Sequence, residues 1–227
     1  RYPAQRLDRL GDGLHVRGHL APAVTCEAHL PFLVGEIDGD TAIVGAEQPL
    51  PTLPGQAYVF LRTGVVWAQQ AQLIGSDVVN GDRFGSAVGL DGEIAVVGAP
   101  LHTDVVSQSG SAYVFKRNVA AWAQLDKIVE HDLEIGENFG YSVDVKGDAV
   151  LIGSRRADGE INATGAAYLY RRGGTCWVEM AKYFAGDGLA DDEFGSSVAL
   201  TNVFVMAGAP THDAVANNAG AAYIFLA

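Results

Sequence analysis

Cysteine is scarce in this chain: only Cys26 and Cys176 are present, enough for one disulfide at most. Repeat position argues against even that one, because Cys176 precedes an outer strand and Cys26 an inner one, in loops at opposite faces of a sheet; free thiols are expected. Positive charge is also scarce. With 15 Lys and Arg against 27 Asp and Glu, the formal charge of −12 makes the average surface repel nucleic acid and anionic membranes. Long hydrophobic runs are missing, since the longest reach about six residues where a bilayer span needs roughly 20. The segment Arg1–Leu10 lacks the apolar centre of a signal peptide, which leaves a cytoplasmic chain or one whose signal has been removed. Helical periodicity, the phosphate-binding Gly-x-x-x-x-Gly-Lys-Ser/Thr motif, the Gly-x-Ser-x-Gly elbow and zinc-ligand spacing are missing as well.

What is there is recurrence. Tyr58, Tyr113, Tyr168 and Tyr223 lie 55 residues apart, each in a Gly-x-Ala-Tyr run followed by aliphatic and aromatic residues. Trp67, Trp122 and Trp177 keep the same spacing, as do Phe84-Gly85, Phe139-Gly140 and Phe194-Gly195. A period this long, filled with short strand-like runs, is the signature of a β-propeller with one blade per repeat. The 28 glycines follow that period, so they mark turns and close backbone approaches rather than a linker. A single domain over residues 1–227 is expected, with repeats at about 27–80, 81–135, 136–190 and 191–227.

Within one repeat, Ser86–Leu90 reads as a first strand, Asp91-Gly92 as a tight turn, and Ile94–Gly98 as a second strand buried on both faces. A loop from Ala99 to Ser109 leads to an aromatic third strand, Ala112–Phe115, and a fourth opening at Trp122. The next repeat follows suit with Tyr141–Val145, Ala149–Gly153, Ala167–Tyr170 and Trp177–Met180. The expected fold is therefore all-β, four blades of four antiparallel strands. The third-strand Tyr and Phe, with Phe of each Phe-Gly pair, are the expected wedges between blades. The last repeat stops after its third strand, and Leu14–His19, 53 positions before Trp67, is expected to supply the missing fourth, so that residues 12–20 close the ring. Arg1–Arg9 echoes the end of a third strand, which keeps open a fragment of a larger ring.

These residues resemble the FG-GAP repeat family, named for its Phe-Gly and Gly-Ala-Pro motifs and found in the propeller head of integrin α chains. Phe84-Gly85 with Gly98-Ala99-Pro100, and Phe194-Gly195 with Gly208-Ala209-Pro210, carry the resemblance. The third repeat has Gly153-Ser154-Arg155 after Phe139-Gly140, and the first has Pro31-Phe32 at the Phe-Gly position. Family propellers usually have seven blades and often a calcium loop of the form Asp-x-Asp-x-Asp-Gly-x-x-Asp between the first two strands. Here that junction is a plain turn, so no cofactor is expected; the alternation Glu36, Asp38, Asp40 is the one place calcium is conceivable, though Asp-Gly turns have backbone reasons of their own.

The resemblance implies a ligand-binding face made by the loops between strands two and three and between blades. Those loops repeat an acid seven positions before Phe-Gly (Asp77, Asp132, Asp187) and another two before it (Asp82, Glu137, Asp192). The long loops add His102 and Asp104, then His212 and Asp213. Such acids hold a ligand, or bond backbone N–H groups and fix loop shape, the reading favoured here. The two histidines, whose counterpart in the third repeat is Ala157, read as exposed loop residues. The expected function is a non-catalytic binding module, extracellular or periplasmic, that recognises glycan or protein. Its alternatives are a polysaccharide hydrolase or lyase using Asp82, Glu137 and Asp192, or a structural segment of a surface protein. A closed ring predicts a monomer and open edges predict self-association.

Overall fold

The computed structural model describes residues 6–10, 13–17, 33–47, 54–131, 134–158, 163–174, 176–213 and 219–227. These contain strands and turns and no helix. Arg6–Leu10 (β1) and Gly13–Arg17 (β2) pair as a two-stranded hairpin. The first large sheet runs β3 (Leu33–Asp38), β4 (Thr41–Ala46), β5 (Gln56–Thr63) and β6 (Val66–Leu73). The second is β7 (Ala87–Asp91), β8 (Ile94–Ala99), β9 (Ser111–Asn118) and β10 (Ala121–Ile128). The third is β11 (Phe139–Lys146), β12 (Ala149–Ser154), β13 (Ala166–Gly173) and β14 (Cys176–Tyr183). The last has three strands, β15 (Ser197–Leu200), β16 (Phe204–Ala209) and β17 (Ala221–Leu226). Every pairing within a sheet is antiparallel between sequence neighbours.

The sheets radiate from one axis as the blades of a β-propeller. Residues of all four first hairpins, Glu36–Asp38, Leu90-Asp91, Asp144–Lys146 and Leu200–Asn202, line a single concavity. Carboxylates reach across it from blade to blade: Leu90 N–H donates to Glu36, Gly92 N–H to Asp38, Gly147 N–H to Asp91 and Leu200 N–H to Asp144, at 2.6–2.8 Å. The outer pairs β5/β6, β9/β10 and β13/β14 carry a bulge at equivalent places, which adds the twist a radial sheet needs.

Between blades the core is built around phenylalanine. Phe84, Phe139 and Phe194 are fully buried, and their ring centroids lie 5.4, 5.4 and 5.5 Å from Tyr113, Tyr168 and Tyr223. Phe84 packs with Ile43, Ala57 and Val59 of the preceding sheet, and Phe139 with Val96, Ala112 and Val114. Each such ring removes roughly 150–250 Å² from water. The wedges expected from the repeat are therefore in place.

Gly13–Arg17 pairs with Arg6–Leu10, and among the described residues no strand flanks β17 on its outer side; Gly18 and His19, the end of the segment expected to close the ring, lie outside the described residues. Cys176 is exposed at the start of β14, while Cys26 lies outside the described residues.

Candidate functional site

Loops between second and third strands and loops between blades share one face and are bonded to each other. Leu101 N–H donates to the Asp82 carbonyl, Gly136 N–H to that of Ser107, Arg156 N–H to that of Glu137, and Asp191 N–H to that of Ala163. The acid two before each Phe-Gly is buried and fixes its own turn. Val79 N–H donates to Asp82 at 2.8 Å, Glu134 N–H to Glu137 at 2.8 Å and Leu189 N–H to Asp192 at 2.6 Å.

The histidines are a correction. His102 and His212 were expected to be exposed and are instead buried, at 4% and 3% relative exposure. Each turns Nδ1 toward the turn acid, His102 to Asp82 at 2.7 Å and His212 to Asp192 at 2.6 Å, because a carboxylate already committed to a backbone N–H has a second oxygen lone pair to offer. Asp77 accepts from the Tyr113 hydroxyl at 2.7 Å and from Lys127 Nζ at 2.8 Å, and Lys127 also pairs with Asp104 at 3.2 Å. Burial raises the Asp77 pKa, but the bonds from Lys127 and Tyr113 outweigh it and hold the carboxyl below its usual range. Asp187 accepts from the Tyr223 hydroxyl at 2.8 Å, which likewise lowers its pKa. Burial and then Asp187 push the Tyr223 hydroxyl up to about 12. Asp213 is exposed beside His212, and Asp132 lies outside the described residues.

The third blade keeps the framework with other residues. Its tyrosine, Tyr168, donates to buried Glu130, and Lys182 lies 3.6 Å from Glu130. Ala157 is buried where the second and fourth blades have histidine, and Arg155 stacks on Tyr141 at 4.2 Å. Tyrosine hydroxyls and the lysines were not among the residues singled out from the sequence. The signal was available: Lys127 and Lys182 lie one repeat apart, and the pairs Asp77/Tyr113 and Asp187/Tyr223 are each separated by 36 positions.

Equivalent histidines therefore differ in charge environment. Lys127 Nζ lies 3.0 Å from His102 Nε2. An ammonium can only donate, so Nε2 accepts and the ring proton sits on Nδ1, facing Asp82. The charged neighbours of His212 are Asp192, Asp187 and Asp213, all acidic; the bond to Asp192, then the other carboxylates, raise its pKa. A raised histidine pKa contributes stability that is complete below the unfolded value of about 6.5 and is lost as pH climbs through the folded value. Replacing Asp192 by Asn is thus expected to cost more stability at pH 6 than at pH 9. Denaturant titrations at the two pH values, with NMR titration of His212 falling toward its ordinary midpoint, would check this.

Among the described residues no group of three or more His, Cys, Asp and Glu side chains is arranged to hold a metal ion. Glu36, Asp38 and Asp40 diverge, to Leu90 N–H, Gly92 N–H and the Arg62 guanidinium. At the axis mouth burial raises the pKa of both Glu36 and Asp144.

The FG-GAP repeat profile matches residues 67–115, 122–170 and 177–225, together more than half of the chain. The chain belongs to the FG-GAP repeat family. Each matched unit starts in a fourth strand and ends in the third strand of the following sheet, so what recurs in this FG-GAP protein is a joint between two blades. No curated protein sequence matches it. Among solved structures it is similar to a GH43 endo-arabinanase from Bacillus licheniformis, with a TM-score of 0.44 and 12% identity over 98% of this chain and 89% of that one.

Proposed function

We propose that this FG-GAP propeller is a non-catalytic binding module, working outside the cell or in a periplasm, whose loop face takes up a protein ligand. The observation that carries the reading is the make-up of that face. Val79, Val105, Ile135 and Leu189 stand at loop tips with 53–83% relative exposure, beside exposed Asp77, Asp104, Asp187, Asp191 and Asp213. Apolar tips ringed by carboxylates suit a polypeptide surface with apolar and basic groups. A glycan would call for exposed aromatic platforms, and among the described residues no aromatic ring is exposed on this face. The loops beneath are rigidly tied, which lowers the ordering cost of binding. Asp82, Glu137 and Asp192, the acids a polysaccharide hydrolase or lyase would use, are each buried and bonded to the backbone of their own turns.

Immobilised protein is expected to retain a polypeptide from its native extract in a salt-sensitive manner and to leave a glycan array blank. The combined variant Val105→Asp, Ile135→Asp, Leu189→Asp should lose at least about tenfold in affinity while keeping its melting temperature. Undiminished retention by that variant, or turnover of a polysaccharide by the unaltered protein, would refute the reading.

A further inference from the structure

His102 and His212 stand in one frame. Each ring lies edge-on to the tyrosine of its blade, Tyr113 or Tyr223, with centroids 6.0 Å apart and ring planes at 77°. Each points Nδ1 at a buried turn acid and Nε2 toward a further aspartate, at 3.7 Å for Asp77 and 3.8 Å for Asp187. In both blades that aspartate accepts from the tyrosine hydroxyl. The second blade adds a cation to the frame. Lys127 Nζ stands 3.0 Å from His102 Nε2, 2.8 Å from Asp77 and 3.2 Å from Asp104.

That lysine ties three elements together. From β10 it reaches the loop between blades through Asp77, and the loop between the second and third strands through Asp104. Asp104 is followed at once by Val105, an apolar tip of the loop face with 83% exposure. The ends of this loop are held separately. Gln108 N–H donates to the Thr103 hydroxyl at 3.0 Å, the Ser109 hydroxyl to the Val106 carbonyl at 3.1 Å, and Gly110 N–H to the His102 carbonyl at 3.0 Å. The tip itself is held at Asp104, by Lys127. The side chains of Lys127, Asp77 and Asp104 are 16, 46 and 40% exposed, so the lysine has an open path to water.

The contact between Lys127 and His102 requires a lone pair on Nε2, because an ammonium only donates. Histidine is the side chain that ordinarily changes charge between about pH 5 and 8. A second proton on this ring belongs on Nε2, since Nδ1 already carries one toward Asp82. It would remove the acceptor and set two cations 3.0 Å apart. The groups that face the ring are Asp82 and Asp77 from the loop between blades, Tyr113 from β9, Lys127 from β10, and Asp104 across the lysine. Three of them are carboxylates that sustain an imidazolium, so the lysine is the group that gives way. The fourth blade shows a ring in that setting: His212 Nε2 faces Asp187, and among the described residues its charged neighbours are all acidic. We infer that His102 is an acid-operated latch. Neutral, it holds Lys127 against Asp77 and Asp104; protonated, it turns Nε2–H to Asp77, expels Lys127 to water and frees the tip at Asp104 and Val105. The consequence for a ligand, weaker docking in acid, rests on the binding reading above, whereas the latch does not.

An NMR titration of the 227-residue protein alone tests this. From about pH 8 to 5 the His102 ring, the Lys127 side chain and the Val105 methyl groups are expected to shift along one curve with a common midpoint. Lys182 is the internal reference. It holds the place of Lys127 one repeat on, where Ala157 stands instead of histidine, and its resonances should not follow that curve. In His102→Gln the amide oxygen still accepts from Lys127 but takes no proton in this range, so Lys127 and Val105 should stay in place throughout. A His102 ring that titrates while Lys127 or Val105 stays still would overturn the latch. So would a ring that takes no proton in this range, a Lys182 that moves on the same curve, or shifts of Lys127 and Val105 that persist in His102→Gln. Because no ligand is present, such a result would remove the latch and leave the docking reading standing, while failure to retain any polypeptide would do the reverse.

Discussion

Gly98→Ala is expected to cost more than about 3 kcal/mol, enough to leave a large unfolded fraction at room temperature, whereas Gly208→Ala at the same place in the last blade should change stability by less than about 1 kcal/mol. The two glycines occupy the same register position, opposite Ala87 and Ser197 respectively. Their surroundings differ. The Cβ of an alanine at 98 would come within 3.0 Å of the Gly140 carbonyl oxygen, an atom fixed by the backbone of the next blade and unable to rotate away. At 208 the nearest atom is the Ser197 hydroxyl oxygen, 2.5 Å away at the end of a rotatable bond. Alanine also has a smaller backbone entropy to lose than glycine, which favours the second substitution slightly. Urea melts of both variants decide the matter: similar small losses at both sites would mean that the joint between the second and third blades yields easily.

Much of the fold was legible because a propeller repeats its own interfaces. Tyr113, Trp122 and Phe139-Gly140 recur at 55-residue intervals since each copy meets the same neighbours, and strand alternation followed from Ile94–Gly98 and its equivalents. Closure is the part that pattern alone does not decide: Leu14–His19 suits a fourth strand, but hydrophobic pattern reports what a strand can pair with and not which edge it takes. Backbone conformation before each Phe-Gly was not legible either. Arg83, Asn138 and Glu193 all take positive φ, at 57, 62 and 55°, yet these side chains have no chemistry in common. The burial of the adjoining phenylalanine imposes that geometry, at a local cost of order 1–3 kcal/mol each.

The site divided along a similar line. Acids two before Phe-Gly could be assigned to their own turns, because Asp and Glu reach backbone N–H groups a few residues away whatever the tertiary fold. Burial of His102 and His212 could not, since it depends on the loop from the preceding blade arriving with Asp82 or Asp192 already oriented. The tyrosine hydroxyls were hidden for the opposite reason. Their rings are so well explained as wedges that the polar tip, which a buried tyrosine must also satisfy, drew no attention.

Phe139→Ala is expected to lower the unfolding free energy by about 3–5 kcal/mol, through lost apolar burial and the cavity left between two sheets. The ring is fully buried, edge-on to Tyr168 at 5.4 Å and to Tyr170 at 6.1 Å, and it packs on Val96, Val114 and Ala112 of the second blade. Relaxation cannot fill the gap cheaply, because the neighbouring backbone is held by the Phe139 N–H bond to Ser109 and by the close approach at Gly110. The comparison residue is Phe204, whose ring is 49% exposed on the uncovered face; its alanine variant should lose less than about 1 kcal/mol. Calorimetry on the two variants separates a wedge from a bystander: a loss below about 1 kcal/mol for Phe139→Ala would remove the phenylalanine from the joint energetics altogether. Phe204 stands at the register position of Ile94, which packs against the core between the second and third blades. Its small expected contribution and the large one of Phe139 follow from one fact, that an apolar sheet face stabilises a propeller only through the blade that covers it.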